Sequence, residues 1–190
     1  MKYFTPHTEI NLEREKQDQK EHVTFRIDAK SLRRVGEEAI KKNISVNTLV
    51  NQILRKYAEW DADFECAGLI SIWKMIPVKL LQKYSETEIS ELATEIANSK
   101  FKATIILHHG KFEVETFLRE IENWMNACNY PYKHDSNFST HKIMVQHGMG
   151  ERWGLFTVEI WKATLEQLGV KKILTEIKED SLILEFDTTV

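Results

Sequence analysis

The chain has 190 residues, a hydrophobic share of 42% and a formal net charge of -3, which suits one ordinary domain or a domain with a small module attached. No apolar run approaches the roughly 18 residues of a membrane span. The leading MKYFTPHTEINLEREKQDQK has no apolar signal core, so membrane insertion and secretion are not expected. The two cysteines, Cys66 and Cys128, lie far apart without CxxC spacing, which fits a reducing cytoplasm better than a disulfide framework.

The net charge conceals an asymmetry. Between His22 and Tyr57 eight Lys/Arg stand against three Asp/Glu, a net of +5, whereas from Asp61 onward 14 Lys/Arg stand against 20 Asp/Glu, a net of -6. A basic module joined to an acidic domain suits a nucleic-acid binder with a separate control or assembly domain.

Residues 1–21 are polar and charge-mixed, without a sustained period, and read as a flexible arm. Val23, Phe25 and Ile27 then alternate with His22, Thr24 and Arg26, the period-2 pattern of a strand with one apolar and one polar face. A lone short strand cannot satisfy its backbone groups or bury its apolar face. The chain offers no nearby partner, so the simplest partner is a second copy. Two such strands make an antiparallel ribbon, and a two-stranded ribbon fits the major groove of DNA.

Two helices follow closely. Ser31 is the candidate cap of the first, with Asp28 as the cap of a slightly earlier start. Leu32, Val35, Ala39 and Ile40 form its apolar stripe. Asn43 stands where the helix must stop and tolerates a left-handed backbone. Ser45 is placed to cap the second helix, where Val46, Leu49, Val50, Ile53, Leu54 and Tyr57 make a wide apolar stripe.

The strand Val23-Thr24-Phe25-Arg26-Ile27, the helix Ser31 to Lys42, the turn at Asn43 and the helix start Ser45-Val46-Asn47 together resemble the ribbon-helix-helix repressors of the Arc/MetJ type. The resemblance covers roughly the first third of the chain. It implies an obligate homodimer that inserts its ribbon into the major groove. On that resemblance His22, Thr24 and Arg26 face base edges, with Arg26 able to donate two bonds to guanine O6 and N7. It also implies that the backbone N–H groups of Ser45, Val46 and Asn47 clamp a phosphate at the helix N-terminus. Val23, Phe25, Ile27, Leu32, Val35, Leu49, Val50 and Ile53 would form the ribbon and dimer core. Many family members carry glycine at the inter-helix turn, and Asn43 can adopt the same backbone. Lys30, Arg33 and Lys42 are further phosphate contacts only if they are more than a solvated basic face.

A second domain, residues 64–190, begins near Phe64 and separates from a 22–60 DNA-binding module. Cys66 to Met75 and Ala103 to His108 read as strands. A short helix opens at Pro77, and another runs from about Glu86 to Asn98. Phe112 to Asn129 is a strong helix with Val114, Phe117, Leu118, Ile121, Trp124, Met125 and Cys128 on one face. Tyr130 to Asn137 reads as a turn-rich connection. Thr140 to His147 is a strand, Arg152 to Leu168 a helix, and Lys171–Ile177 with Leu182–Phe186 a closing hairpin. This order predicts an α+β sheet covered by helices.

Chemical signals in this domain are sparse. His108-His109, and His141 with His147, combined with Cys66, Cys128 or His134, are weighed as metal or haem ligands, but no pair has the tight spacing that carries such an assignment. No metal and no cofactor is therefore expected. HGMGERW lacks the lysine and full glycine spacing of a phosphate loop, and no nucleophile-base constellation points to an enzyme. Trp73, Trp124, Trp153 and Trp161 either line an apolar ligand pocket or belong to the core. The sequence predicts a cytoplasmic, dimeric transcriptional regulator, a repressor by its resemblance. Double-stranded DNA is its partner and a small molecule is a possible ligand of the second domain. Alternatives are an antitoxin-like autorepressor with a toxin-binding part, and a ligand-binding or enzymatic domain with a DNA-binding appendage.

Overall fold

The computed structural model describes residues 22–63 and 66–189. The expected arm over residues 1–21, and Phe64 as the start of the second domain, lie outside the described residues. The chain divides into two compact units, one through Asn51 and one from Gln52.

In the first unit, α1 (Ala29–Lys41) is capped by Asp28. Its carboxylate accepts the Ser31 N–H at 2.9 Å, and that bond holds the Asp28 carboxyl below the usual carboxylate value. Of the two caps read from the sequence, the earlier one operates. Ser31 is the third residue of the helix and supplies the backbone N–H that such a cap accepts. At the other end Asn43 takes φ 53, and the N–H groups of Asn43 and Ile44 return to the carbonyls of Ile40 and Ala39, each at 3.0 Å. This paired return is the left-handed stop expected of Asn43. Ser45 caps α2 (Val46–Glu59) by accepting the Thr48 N–H at 3.0 Å. Ala39 and Leu49 are buried, whereas Ile40 is 81% exposed. Ile40 follows Ala39 by about 100° around the helix, which takes it off the buried edge of the stripe.

The second unit continues through α3 (Met75–Leu81), α4 (Glu86–Ile96), a π-helical turn (Ala97–Phe101), α5 (Lys102–His109) and α6 (Val114–Ala127). There follow β1 (Tyr132–Asn137), β2 (Thr140–Gln146), α7 (Glu151–Gln167), β3 (Lys172–Lys178) and β4 (Ser181–Asp187). The strands form one antiparallel sheet in the order β1-β2-β4-β3, so the fold class is α+β. Ile143 stands opposite Leu184 and Val145 opposite Leu182. In β4, Leu182, Leu184 and Phe186 are buried between half-buried neighbours, as one covered sheet face requires. They meet Phe117, Ile121 and Met125 of α6 and Val158, Trp161 and Leu165 of α7 in a single core. Each such side chain contributes about 1.5–3 kcal/mol on burial.

Three expectations are corrected. Ala103 to His108 is not a strand but most of α5, the end of a helical run that starts at Glu86. Ile105 is buried while Ile106 and Leu107 are exposed, a helical and not a two-fold distribution, and Gly110 at φ 73 ends the run. Cys66 to Met75 forms no strand. Gly68 turns the chain at φ 72, the next five residues are irregular, and Ile70, Ile72 and Trp73 are exposed. The apolar run has no ladder partner among the described residues, and without one it cannot be a strand. Conversely, Tyr132–Asn137 pairs with all of β2 up to Gln146's neighbour Val145. Its sequence YKHDSN is poor in strand formers, so the ladder and the edge position, not propensity, make it β1. Among the described residues no helix is long and apolar enough to cross a membrane.

Candidate functional site

The first candidate surface lies in the N-terminal unit. Residues 22–28 form neither helix nor strand within a single chain. His22, Thr24 and Arg26 are exposed, and so are Val23, Phe25 and Ile27, at 56%, 60% and 47%. Leu32 and Ile53 are also exposed, Val35 and Val50 are half-buried, and Leu49 is buried. Exposed large apolar side chains in such number are not left to solvent without reason. Ser45, Val46 and Asn47 are exposed at the start of α2, where the first N–H groups of a helix lack intrahelical acceptors. Among the expected phosphate cations, Lys42 lies 3.8 Å from Glu38 on the surface, a pairing worth little in water.

The second candidate lies wholly in the unit from Gln52. A cavity of about 340 Å³ opens between the segment around Trp60 and Gly68, the π-helical turn, α6 and α7. Trp60, Trp124, Trp153, Trp161, Phe101 and Phe156 all line it. Trp124, Trp153 and Trp161 line the cavity and also pack in or against the core. Trp73 is exposed and does not line the cavity; Trp60 stands in its stead. A π-helical turn within a helix often marks a functional place, and here it carries Lys100 and Phe101 to the wall.

One ionisable group in that wall is buried. Glu120 of α6 is 1% exposed, and its Oε2 accepts from His108 Nδ1 at 2.8 Å and from His109 Nε2 at 3.0 Å. The two histidine side chains are 4% and 7% exposed. Burial holds His109 below its ordinary value, against the pull of the Glu120 carboxylate. The ring of Trp60 meets His108 edge-on at 5.9 Å. Three ligand-type atoms within 4.8 Å of one another make this the metal-compatible group found among the described residues. The sequence alone places the two histidines at the end of an expected strand and gives Glu120 no role. The signal was present: Glu120 stands three residues from Phe117 and four from Trp124, beside a face otherwise apolar.

Two of the other histidines pair with each other across β1 and β2. His134 Nδ1 bonds Glu122 Oε1 at 2.6 Å and its Nε2 lies 3.1 Å from His141 Nδ1, with His141 stacked on Phe186 at 5.0 Å. His147 is buried elsewhere, where its Nδ1 accepts the Met149 N–H at 3.1 Å. Cys66 and Cys128 are both free thiols. Burial pushes Cys128 upward, with Lys74 and Lys56 opposing, which makes it an inert filler in place of a ligand. The HGMG loop closes on the final hairpin, with His147 and Gly148 donating to the Asp180 carbonyl at 2.9 and 3.1 Å.

No protein-family model matches the chain, and no curated protein matches it in sequence.

Proposed function

We propose that the protein is a non-enzymatic, cytoplasmic, DNA-binding transcriptional regulator that acts as a dimer. Residues 22–28 of two chains pair into an antiparallel ribbon that enters the major groove. The observation that carries this reading is the uncovered row Val23, Phe25 and Ile27, set directly ahead of two capped helices joined at left-handed Asn43. A second copy supplies both the ladder and the cover that this row lacks. The same register turns His22, Thr24 and Arg26 outward toward base edges. Ser45, Val46 and Asn47 then approach a phosphate through the start of α2. The net of +5 between His22 and Tyr57 supports the electrostatic part of binding.

The unit from Gln52 is read as the sensing part. The cavity is of ligand size and mostly apolar, with six aromatic side chains and a buried carboxylate in its wall, as small-molecule sites commonly are. It favours sensing over a purely assembling role.

The reading is tested by sedimentation equilibrium together with duplex binding across a salt series. A dimer whose affinity for DNA falls steeply and log-linearly with salt supports it. A monomer at micromolar concentration, or binding indifferent to salt, overturns it.

A further inference from the structure

We propose that His108, His109 and Glu120 bind a divalent first-row transition-metal ion of the zinc or iron type, with an open coordination position on the side of the aromatic cavity. The inference stands apart from DNA binding and can fail without it.

The donor set suits such an ion. Two imidazoles and one carboxylate are ligands for zinc and for non-haem iron, and three protein ligands leave room for water or a small molecule. The spacing suits it too. Metal–ligand bonds of about 2.0–2.2 Å place tetrahedral ligand atoms roughly 3.3 Å apart. Here Glu120 Oε2 lies 2.8 Å from His108 Nδ1 and 3.0 Å from His109 Nε2. Small outward shifts of two side chains admit an ion. His108 and His109 are held on the last turn of α5, against α6, by burial of all three side chains.

A second observation is independent of spacing. For Glu120 to accept from His108, the proton must sit on Nδ1. His108 Nε2 is then left buried without any partner, which buried polar atoms rarely are. A doubly protonated ring strands the same atom as an N–H. Charge also favours the ion. Glu120 brings a carboxylate into a nearly dry place, and a cation there offsets its charge.

Glu120 belongs both to the cluster and to the cavity wall. An ion held there presents its open position to the cavity and carries one net positive charge after Glu120. The ligand class that follows is a small aromatic or apolar compound with an anionic or readily ionised oxygen or nitrogen donor.

The test uses untagged full-length protein, stripped with chelator and titrated with Co²⁺. The expected result is one equivalent of Co²⁺ per chain, with visible d–d absorption that Zn²⁺ abolishes. Glu120→Gln and His109→Asn should each weaken binding by at least about 100-fold, since even outer-shell changes cost about 10–100-fold. Nitrogen-15 spectra of the imidazoles in the unaltered protein decide the matter if a variant fails to fold. Zn²⁺ should shift His108 Nδ1 and His109 Nε2 and leave His134 and His141 unmoved. Absence of Co²⁺ uptake, uptake unchanged by Glu120→Gln in a folded protein, or unmoved His108 and His109 nitrogens overturns the assignment.

Discussion

Gly154 is the position where two opposed effects can be weighed most directly. It lies inside α7, where alanine is favoured over glycine by about 1 kcal/mol. A β carbon there would stand 2.9 Å from Ile177 Cγ2 and 3.2 Å from His147 Nε2. Neither neighbour yields cheaply. Ile177 Cγ2 is a branch methyl on β3, which retreats only by leaving its preferred rotamer or moving the strand. The His147 ring is buried and tied to the Met149 N–H. Overpacking of this kind costs about 1–3 kcal/mol. At the middle of that range the overlap outweighs the helix gain, and Gly154→Ala should destabilise the second unit by roughly 1 kcal/mol, lowering Tm by roughly 3 °C. Tryptophan fluorescence during heating reads this unit alone, because all five tryptophans lie from Trp60 onward. In an Ile177→Ala background the same substitution should be neutral or stabilising, since the closest atom is gone. Equal or higher stability of Gly154→Ala in the native background would refute the packing argument.

Arg26→Ala should lose discrimination between duplexes by roughly 1–3 kcal/mol while folding is intact, read from competition binding at fixed salt. Unchanged discrimination would mean the outward face is misassigned. Phe25→Asp should convert dimer to monomer in sedimentation and abolish DNA retention with unaltered tryptophan fluorescence; a persistent dimer would place the interface elsewhere. Burial holds His147 below the ordinary 6.5, with the pull of Asp180 not enough to restore it, so the unfolded chain binds that proton more tightly. Its contribution to stability is complete above about pH 6.5 and is lost as pH falls toward the lower folded value. His109 and His141 are lowered in the same direction. Urea denaturation at pH 7 and pH 5 should show weaker folding at pH 5, less so for His147→Asn, which keeps an acceptor for the Met149 N–H. A pH-independent midpoint would contradict this.

Helices were legible where period and caps agreed. Asn43 stopped α1, and Gly169 at φ 85 follows α7 where its periodic run ends. The closing hairpin was legible because Leu182, Leu184 and Phe186 alternate cleanly. Short apolar runs misled in both directions. Ala103 to His108 is rich in β-branched residues yet continues a helix begun at Glu86, and Gly110 was the overlooked stop. LISIW reads as a strand but finds no partner, whereas YKHDSN becomes one because β2 lies beside it. Pairing is a tertiary fact that a single segment cannot declare. The cluster was hidden for the same reason. His108 and His109 meet a residue from the next helix, twelve and eleven positions away, and the turn at Gly110 brings the two helices together.

The central claim is sequence-specific DNA binding through residues 22–28. Its most direct test is to incubate purified protein with a pool of random duplexes and sequence what is retained. The account predicts enrichment of a short palindromic or tandem site, with enrichment lost on Arg26→Ala. Absence of retention at low salt would contradict it and leave the function to the aromatic cavity and its His108, His109 and Glu120 cluster.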